Sequence, residues 1–232
     1  MLKIVGKKFF IWRKSSKWFM KCLKNINCKY IDYLIKGIFA GIMISIGGTA
    51  YLAVSNSIVG SLLFSIGLLM ICIYGMNLFT GKVGYVLVSK PNYIIELLCT
   101  LIGNFVGTYV CGFLVRSTRF IAYQEKAISI SDIKLSDDFI SIFVLSIFCG
   151  MLMYMAVNNY KKIDNNLGKY LSVILCVMVF ILCGFEHCVA NMYYFSVANV
   201  WSIDTFVMLG IMILGNSFGS VIIALFDNKY KS

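Results

Sequence analysis

Read as a string of apolar and polar positions, the chain is a series of long apolar runs separated by short polar connections. The runs cover about 33–54, 58–88, 91–115, 138–157, 170–200 and 204–226. A membrane-spanning helix needs about 20 predominantly apolar residues, so the pattern predicts six spans. Two runs are too long for one plain span, and each is interrupted near its middle. Asn77-Leu78-Phe79-Thr80-Gly81-Lys82 breaks the second. Gly184-Phe185-Glu186-His187-Cys188-Val189-Ala190-Asn191-Met192 breaks the fifth and holds the chain's only histidine. Carrying a charge to the bilayer centre costs about 2.5–3.5 kcal/mol on insertion scales, so ionisable groups at such a depth need a reason. Non-helical backbone at that depth is tolerated only where protein or water surrounds it. Broken spans with polar groups at mid-depth are the layout of a transport site.

The runs also repeat. Gly103-Asn104-Phe105-Val106-Gly107 in the third recurs as Gly215-Asn216-Ser217-Phe218-Gly219 in the sixth, 112 residues on. The same offset carries Thr80 to Met192, inside the second break. Spans one to three (about 31–118) therefore match spans four to six (about 137–228). Three spans per half is odd, so the halves are expected to be inverted in the membrane, with a permeation site between the two breaks. Between them, residues 116–137 read as a mixed-charge linker, and 158–168 as a polar, basic turn. Glu96, near the end of the third span, is expected to be interfacial. Residues 1–30 read as a basic interfacial segment carrying Trp12, Trp18 and Phe19, or, over 1–12, as a plain basic tail. Residues 229–232 are expected to form a short cytoplasmic tail.

Composition agrees with the pattern. The 232 residues are 60% hydrophobic and 13% charged, against roughly 25% charged in a soluble domain. The net charge of +11 does not mark a nucleic-acid binder, because ten of the 21 Lys and Arg lie in residues 1–36. Counted by loop, 17 of those basic residues fall on the side of the termini and four on the other. The positive-inside rule then puts both termini in the cytoplasm, in what is expected to be a bacterial cell membrane. The basic N-terminus is expected to face anionic lipid. The nine cysteines are scattered without Cys-x-x-Cys spacing, so neither a disulfide framework nor a metal site is expected. No cleavable signal is expected before the first span.

At the breaks the sequence resembles the formate/nitrite transporter family. Gly184 to Tyr193 is similar to that family's Gly-Phe-Glu-His-Ser-Val-Ala-Asn-Met segment, with Cys188 in place of serine. Leu78-Phe79-Thr80-Gly81 resembles its omega-loop motif. Ala40-Gly41 with Gly47-Gly48, and Gly215-Asn216 with Gly219, resemble its first- and last-span motifs. The resemblance implies an all-α, aquaporin-like membrane fold and a homopentamer with one pore per subunit. It implies no enzyme activity and no cofactor; the pore would pass small monovalent anions or their acids, with protons. Formate or nitrite is expected, with hydrosulfide or another small anion as the alternative.

Residue by residue, the resemblance makes His187 the central pore histidine, Thr80 its omega-loop partner, and Leu78, beside Phe79, the constriction. Phe64, Leu68 and Phe180 take the positions of hydrophobic slits, Lys134 that of a lysine near the pore centre, and Asn191 a pore-lining position. Gly81, Gly184 and Glu186 are structural at the breaks, with Glu186 expected to pair with backbone donors. From the residues alone, the alternatives are His187 as a structural hydrogen-bonder, Lys134 as a solvated loop charge, and the three apolar residues as lipid-facing or ordinary core. Four departures stand out: Gly150 for asparagine, Asn158-Asn159 for a tryptophan, Lys82 after the Thr-Gly, and Ser196 for proline.

A bare anion crosses a Phe- and Leu-lined slit only at high desolvation cost. The vestibules should therefore attract the anion, through Lys134 and the half-helix N-termini, and the slit should favour its neutral acid. His187, with an unperturbed pKa of about 6.5, is suited to handing over a proton, and equally to hydrogen bonding as a neutral ring. Rival classes fare worse. One histidine cannot supply paired haem ligands. A water or glycerol channel lacks its twin Asn-Pro-Ala motifs, the only proline being Pro91. A non-transporting scaffold has no use for polar groups at both breaks.

Overall fold

The computed structural model describes residues 28–230, and all regular structure in them is helical. The expected interfacial segment falls outside the described residues up to residue 27. Helix α1 is Cys28–Ala53. It takes in residues ahead of the apolar run, where Asp32 and Lys36 pair at i,i+4 with a 2.8 Å contact. The second span divides into α2 (Ser57–Ile73), a short α3 (Phe79–Lys82) and a 3₁₀ turn Val83–Val88. Helix α4 is Tyr93–Arg116.

The expected linker is largely helical. A 3₁₀ turn Arg119–Tyr123 leads into α5, Gln124–Leu135, which packs on the second half-helix rather than lying in solvent. Two of its side chains hold it there. Lys126 Nζ donates to the last carbonyls of α1, Tyr51 O at 2.8 Å and Val54 O at 2.6 Å, and burial holds this lysine below its usual range. Lys134 reaches into the protein, as described below. The second half repeats the first: α6 (Phe139–Lys162), α7 (Asn166–Leu182), α8 (Cys188–Ala198) and α9 (Ile203–Tyr230).

Helices α1, α4, α6 and α9 are long and apolar enough to cross a membrane; α2 and α7, at 17 residues each, end at the breaks. Within each half the third span packs along the first, α4 on α1 and α9 on α6. Small residues set that distance. A Cβ on Gly107 would lie 2.2 Å from Ile38 O, and one on Gly219 1.9 Å from Ile147 O, so the backbones touch. Gly150 is explained in the same way: a Cβ there would meet Asn216 O at 2.1 Å, leaving no room for the asparagine expected from the family pattern.

The two breaks are copies. Gly75 (φ +64°) and Gly184 (φ +68°) take the left-handed turn that ends α2 and α7. Asn56 and Asn165 cap the starts of α2 and α7, and Leu78 and His187 stand at the N-caps of α3 and α8. Every one of these pairs is 109 residues apart. The 112-residue offset holds for Asn104 and Asn216 in the third spans but not through the breaks. Thr80 is therefore equivalent to Val189, not Met192, and Leu78 to His187. Three extra residues in the second half, between its break and Asn216, account for the difference. Since each half contributes three crossings, the halves are inverted, and the N-termini of α3 and α8 meet in the interior.

Candidate functional site

Each half-helix is anchored by the asparagine of its own third span. Asn104 Oδ1 accepts the Phe79 N–H at 2.9 Å, while its Nδ2 donates to Gly37 O at 2.8 Å and Asn77 O at 2.9 Å. Asn216 Oδ1 accepts the Cys188 N–H at 2.9 Å, and its Nδ2 donates to Ser146 O at 2.8 Å and Glu186 O at 2.7 Å. All of these groups are buried, and a buried backbone amide left unpaired is costly. The sequence repeat flags both asparagines; their task, fixing the start of each half-helix, emerges only from the fold.

At the gap the halves are joined by a bond between two side chains. Thr80 Oγ1 lies 2.9 Å from His187 Nε2, and both residues are buried. The other ring nitrogen, Nδ1, accepts the Ala190 N–H at 3.0 Å. An amide can only donate, so Nδ1 carries no proton and the ring proton is on Nε2. Nε2–H then donates to Thr80 Oγ1, and the threonine hydroxyl is free to turn its own proton elsewhere. Thr80 is steadied from below by Ser220 Oγ, which donates to its carbonyl at 3.2 Å.

Aromatic walls surround this pair. Phe180 stacks on the His187 ring at 5.4 Å between centroids, and Phe64 meets Phe180 edge-on at 5.8 Å. Leu68, Leu78 and Phe79 are buried in the same apolar cluster. Gly81 packs on Val157, whose Cγ2 would lie 2.5 Å from an added Cβ. A small cavity of about 70 Å³ on one side is lined by Phe180, Phe185, His187, Asn191, Lys134 and Tyr194, among others. A larger one of about 390 Å³ on the side of the termini reaches Leu78 and Gly81. The small cavity reaches His187 itself, and the larger one reaches Leu78 and Gly81, which flank Thr80 in the chain.

Two charge expectations are corrected. Glu186 does not use its carboxylate on backbone donors: Lys134 Nζ donates to Oε1 at 2.8 Å and to Oε2 at 2.7 Å, and Asn191 Nδ2 donates to Oε2 at 2.6 Å. Lys134 is therefore neither a solvated loop charge nor a bare positive centre. It sits on α5 with its charge matched by a carboxylate, because a buried ion without a partner is too costly to keep. Glu96, in the first turn of α4, is shielded by the protein and paired with the exposed Lys29. The half-helix N-termini are partly occupied, because the Phe79, Cys188 and Ala190 amides already have acceptors.

A sequence model of the formate/nitrite transporter matches residues 16–227. The chain belongs to the formate/nitrite transporter family. It is 27% identical to the uncharacterized transporter YrhG of Bacillus subtilis (strain 168), over 89% of this chain and 82% of that protein. It is 24% identical to the formate channel FocB of Escherichia coli (strain K12), over 70% of this chain and 65% of that one. The solved structure of a pentameric formate channel with formate bound superposes with a TM-score of 0.76 at 25% identity, covering 85% of this chain and 95% of that chain. An FNT family ion channel shares the fold, with a TM-score of 0.72 at 21% identity.

The remaining departures from the family pattern have local accounts. Asn158, in place of tryptophan, is buried and donates to Asp227 Oδ2 at 2.8 Å while accepting from Tyr85 OH at 3.1 Å. Ser196, in place of proline, accepts from Trp201 Nε1 at 3.2 Å and packs on Gly112. Lys82 ends α3 and lines the larger cavity with Lys161 and Lys169. Gly75 and these last two lysines are not singled out as site residues by sequence. Gly75 has a signal there, its 109-residue spacing from Gly184.

Proposed function

We propose that this chain is a channel for small monovalent anions, formate or nitrite first, which cross as their neutral acids. It acts in the cell membrane as a homopentamer with a pore in each subunit and both termini in the cytoplasm. The observation that carries this reading is the Thr80–His187 bond at the meeting point of two half-helices, with a cavity on either side and phenyl rings around it. The solved relative is described as pentameric and as holding formate, which supports the oligomer and the substrate. Exposed apolar residues such as Ile58, Leu62, Ile66, Leu98 and Ile102 suit lipid and neighbouring copies.

The chemistry follows from what the gap offers. Three of the amides at the half-helix starts already have acceptors, and the Lys134 charge is matched by Glu186, so the gap holds little to stabilise a naked anion stripped of water. It offers hydrogen bonds instead. The Thr80 hydroxyl can donate to a carboxyl or nitrous oxygen while His187 holds its oxygen lone pair. The anion gains a proton on one side, passes the rings as an acid, and loses the proton on the other.

The test is uptake of formate, nitrite and hydrosulfide into liposomes holding the purified protein. Above the acid's pKa the neutral fraction falls about tenfold per pH unit, so flux of the true substrate should rise as the external pH falls. His187→Asn should assemble normally and alter that pH profile. A profile identical to that of the parent protein at every pH would remove His187 from permeation. Hydrosulfide outrunning formate and nitrite would reassign the substrate.

A further inference from the structure

The two vestibules differ in charge. On the α5 side Lys134 is matched by Glu186. On the side of the termini, the 390 Å³ cavity is lined by Lys82, Lys161 and Lys169, and no carboxylate lines it among the described residues. The acids packed near this side are already taken: Asp32 by Lys36, Glu96 by Lys29 and Asp227 by Lys162. Asp164 lies in the exposed turn between α6 and α7, outside the lining.

The three lysines are also held in place. Lys82 Nζ sits 5.2 Å from the centroid of the Tyr33 ring, Lys161 4.6 Å from that of Tyr85, and Lys169 5.3 Å from that of Tyr160. Lys82 is further fixed through its carbonyl, which accepts from Tyr93 OH at 2.9 Å. A tyrosine face orients an ammonium without cancelling its charge. The result is a concave pocket with three positioned cations that also reaches Leu78.

We propose that this vestibule is a second anion site, distinct from the permeation gap, and that it takes a divalent oxyanion such as phosphate or sulfate. Three positive groups around one cavity favour an ion carrying two negative charges over a monovalent one. Such an ion cannot become neutral by gaining a single proton, so it cannot follow a monovalent acid through the Phe64–Phe180 slit. It stays in the mouth and competes there with permeant anions. The site rests on the vestibule alone; the competition rests on the pore reading above.

Two measurements separate these. Calorimetric titration of the detergent-solubilised protein with sodium sulfate should give saturable binding. Lys82→Met and Lys161→Met should each weaken it roughly fivefold, as expected for losing one unit charge about 8 Å from a divalent ion in water, while Lys82→Arg should keep it. Formate flux into proteoliposomes should fall as sulfate is added on both sides at constant ionic strength, and fall less in the Met variants. No saturable heat, or binding equal in parent and Met variants, overturns the site. Lysine-dependent binding with untouched formate flux keeps the site and counts against the pore reading.

Discussion

Among single residues, the strongest commitments are ionic. Glu186 and Lys134 are nearly dry and bond to each other directly. Removing one partner from such a pair costs about 3–5 kcal/mol, whereas replacing both with neutral groups is often close to neutral. Glu186→Gln should therefore lower the thermal midpoint of the solubilised protein markedly, and adding Lys134→Met should restore most of the loss. Additive losses in the double variant would show that the two charges do not depend on each other. This pairing is not legible in the sequence, because the partners are 52 residues apart and nothing local links them. His187 and Thr80 are legible, since polar groups inside long apolar runs stand out against a high insertion cost. Which nitrogen of His187 holds the proton is not, because the Ala190 amide settles that only once α8 has formed.

At the level of helices, close packing decides the architecture. Helices α6 and α9 touch backbone to backbone at Gly219, whereas a methyl added at Gly210 on the same helix would meet nothing within 4 Å. Gly219→Ala should force the pair apart at a cost of about 1–3 kcal/mol, the range for overpacking. Gly210→Ala should leave the melting temperature unchanged or raise it slightly through helix propensity. Equal effects at the two glycines would contradict the contact. The apolar pattern shows all six spans and both interruptions. It misplaces the correspondence at the breaks by three residues, since a short insertion leaves the Gly-Asn motif intact while shifting everything before it. It also misses α5. Gln124–Leu135 has too little amphipathic contrast to announce a helix, and its place is set by Lys126 and Lys134 reaching into other elements.

Taken whole, the molecule is two similar units with most of their hydrogen-bonded clasps kept at home. Asn104 ties together only residues of the first half, and Asn216 only residues of the second; at the gap itself a threonine–histidine bond makes the crossing. The covalent join between the units, at the exposed turn Arg119–Tyr123, therefore carries little of the architecture. Two co-expressed fragments, severed at that turn, should find one another in the bilayer and copurify as a working pair, with anion flux as the readout. Fragments that never copurify would show that continuity of the polypeptide, and not the fit between duplicated partners, is what brings the breaks face to face.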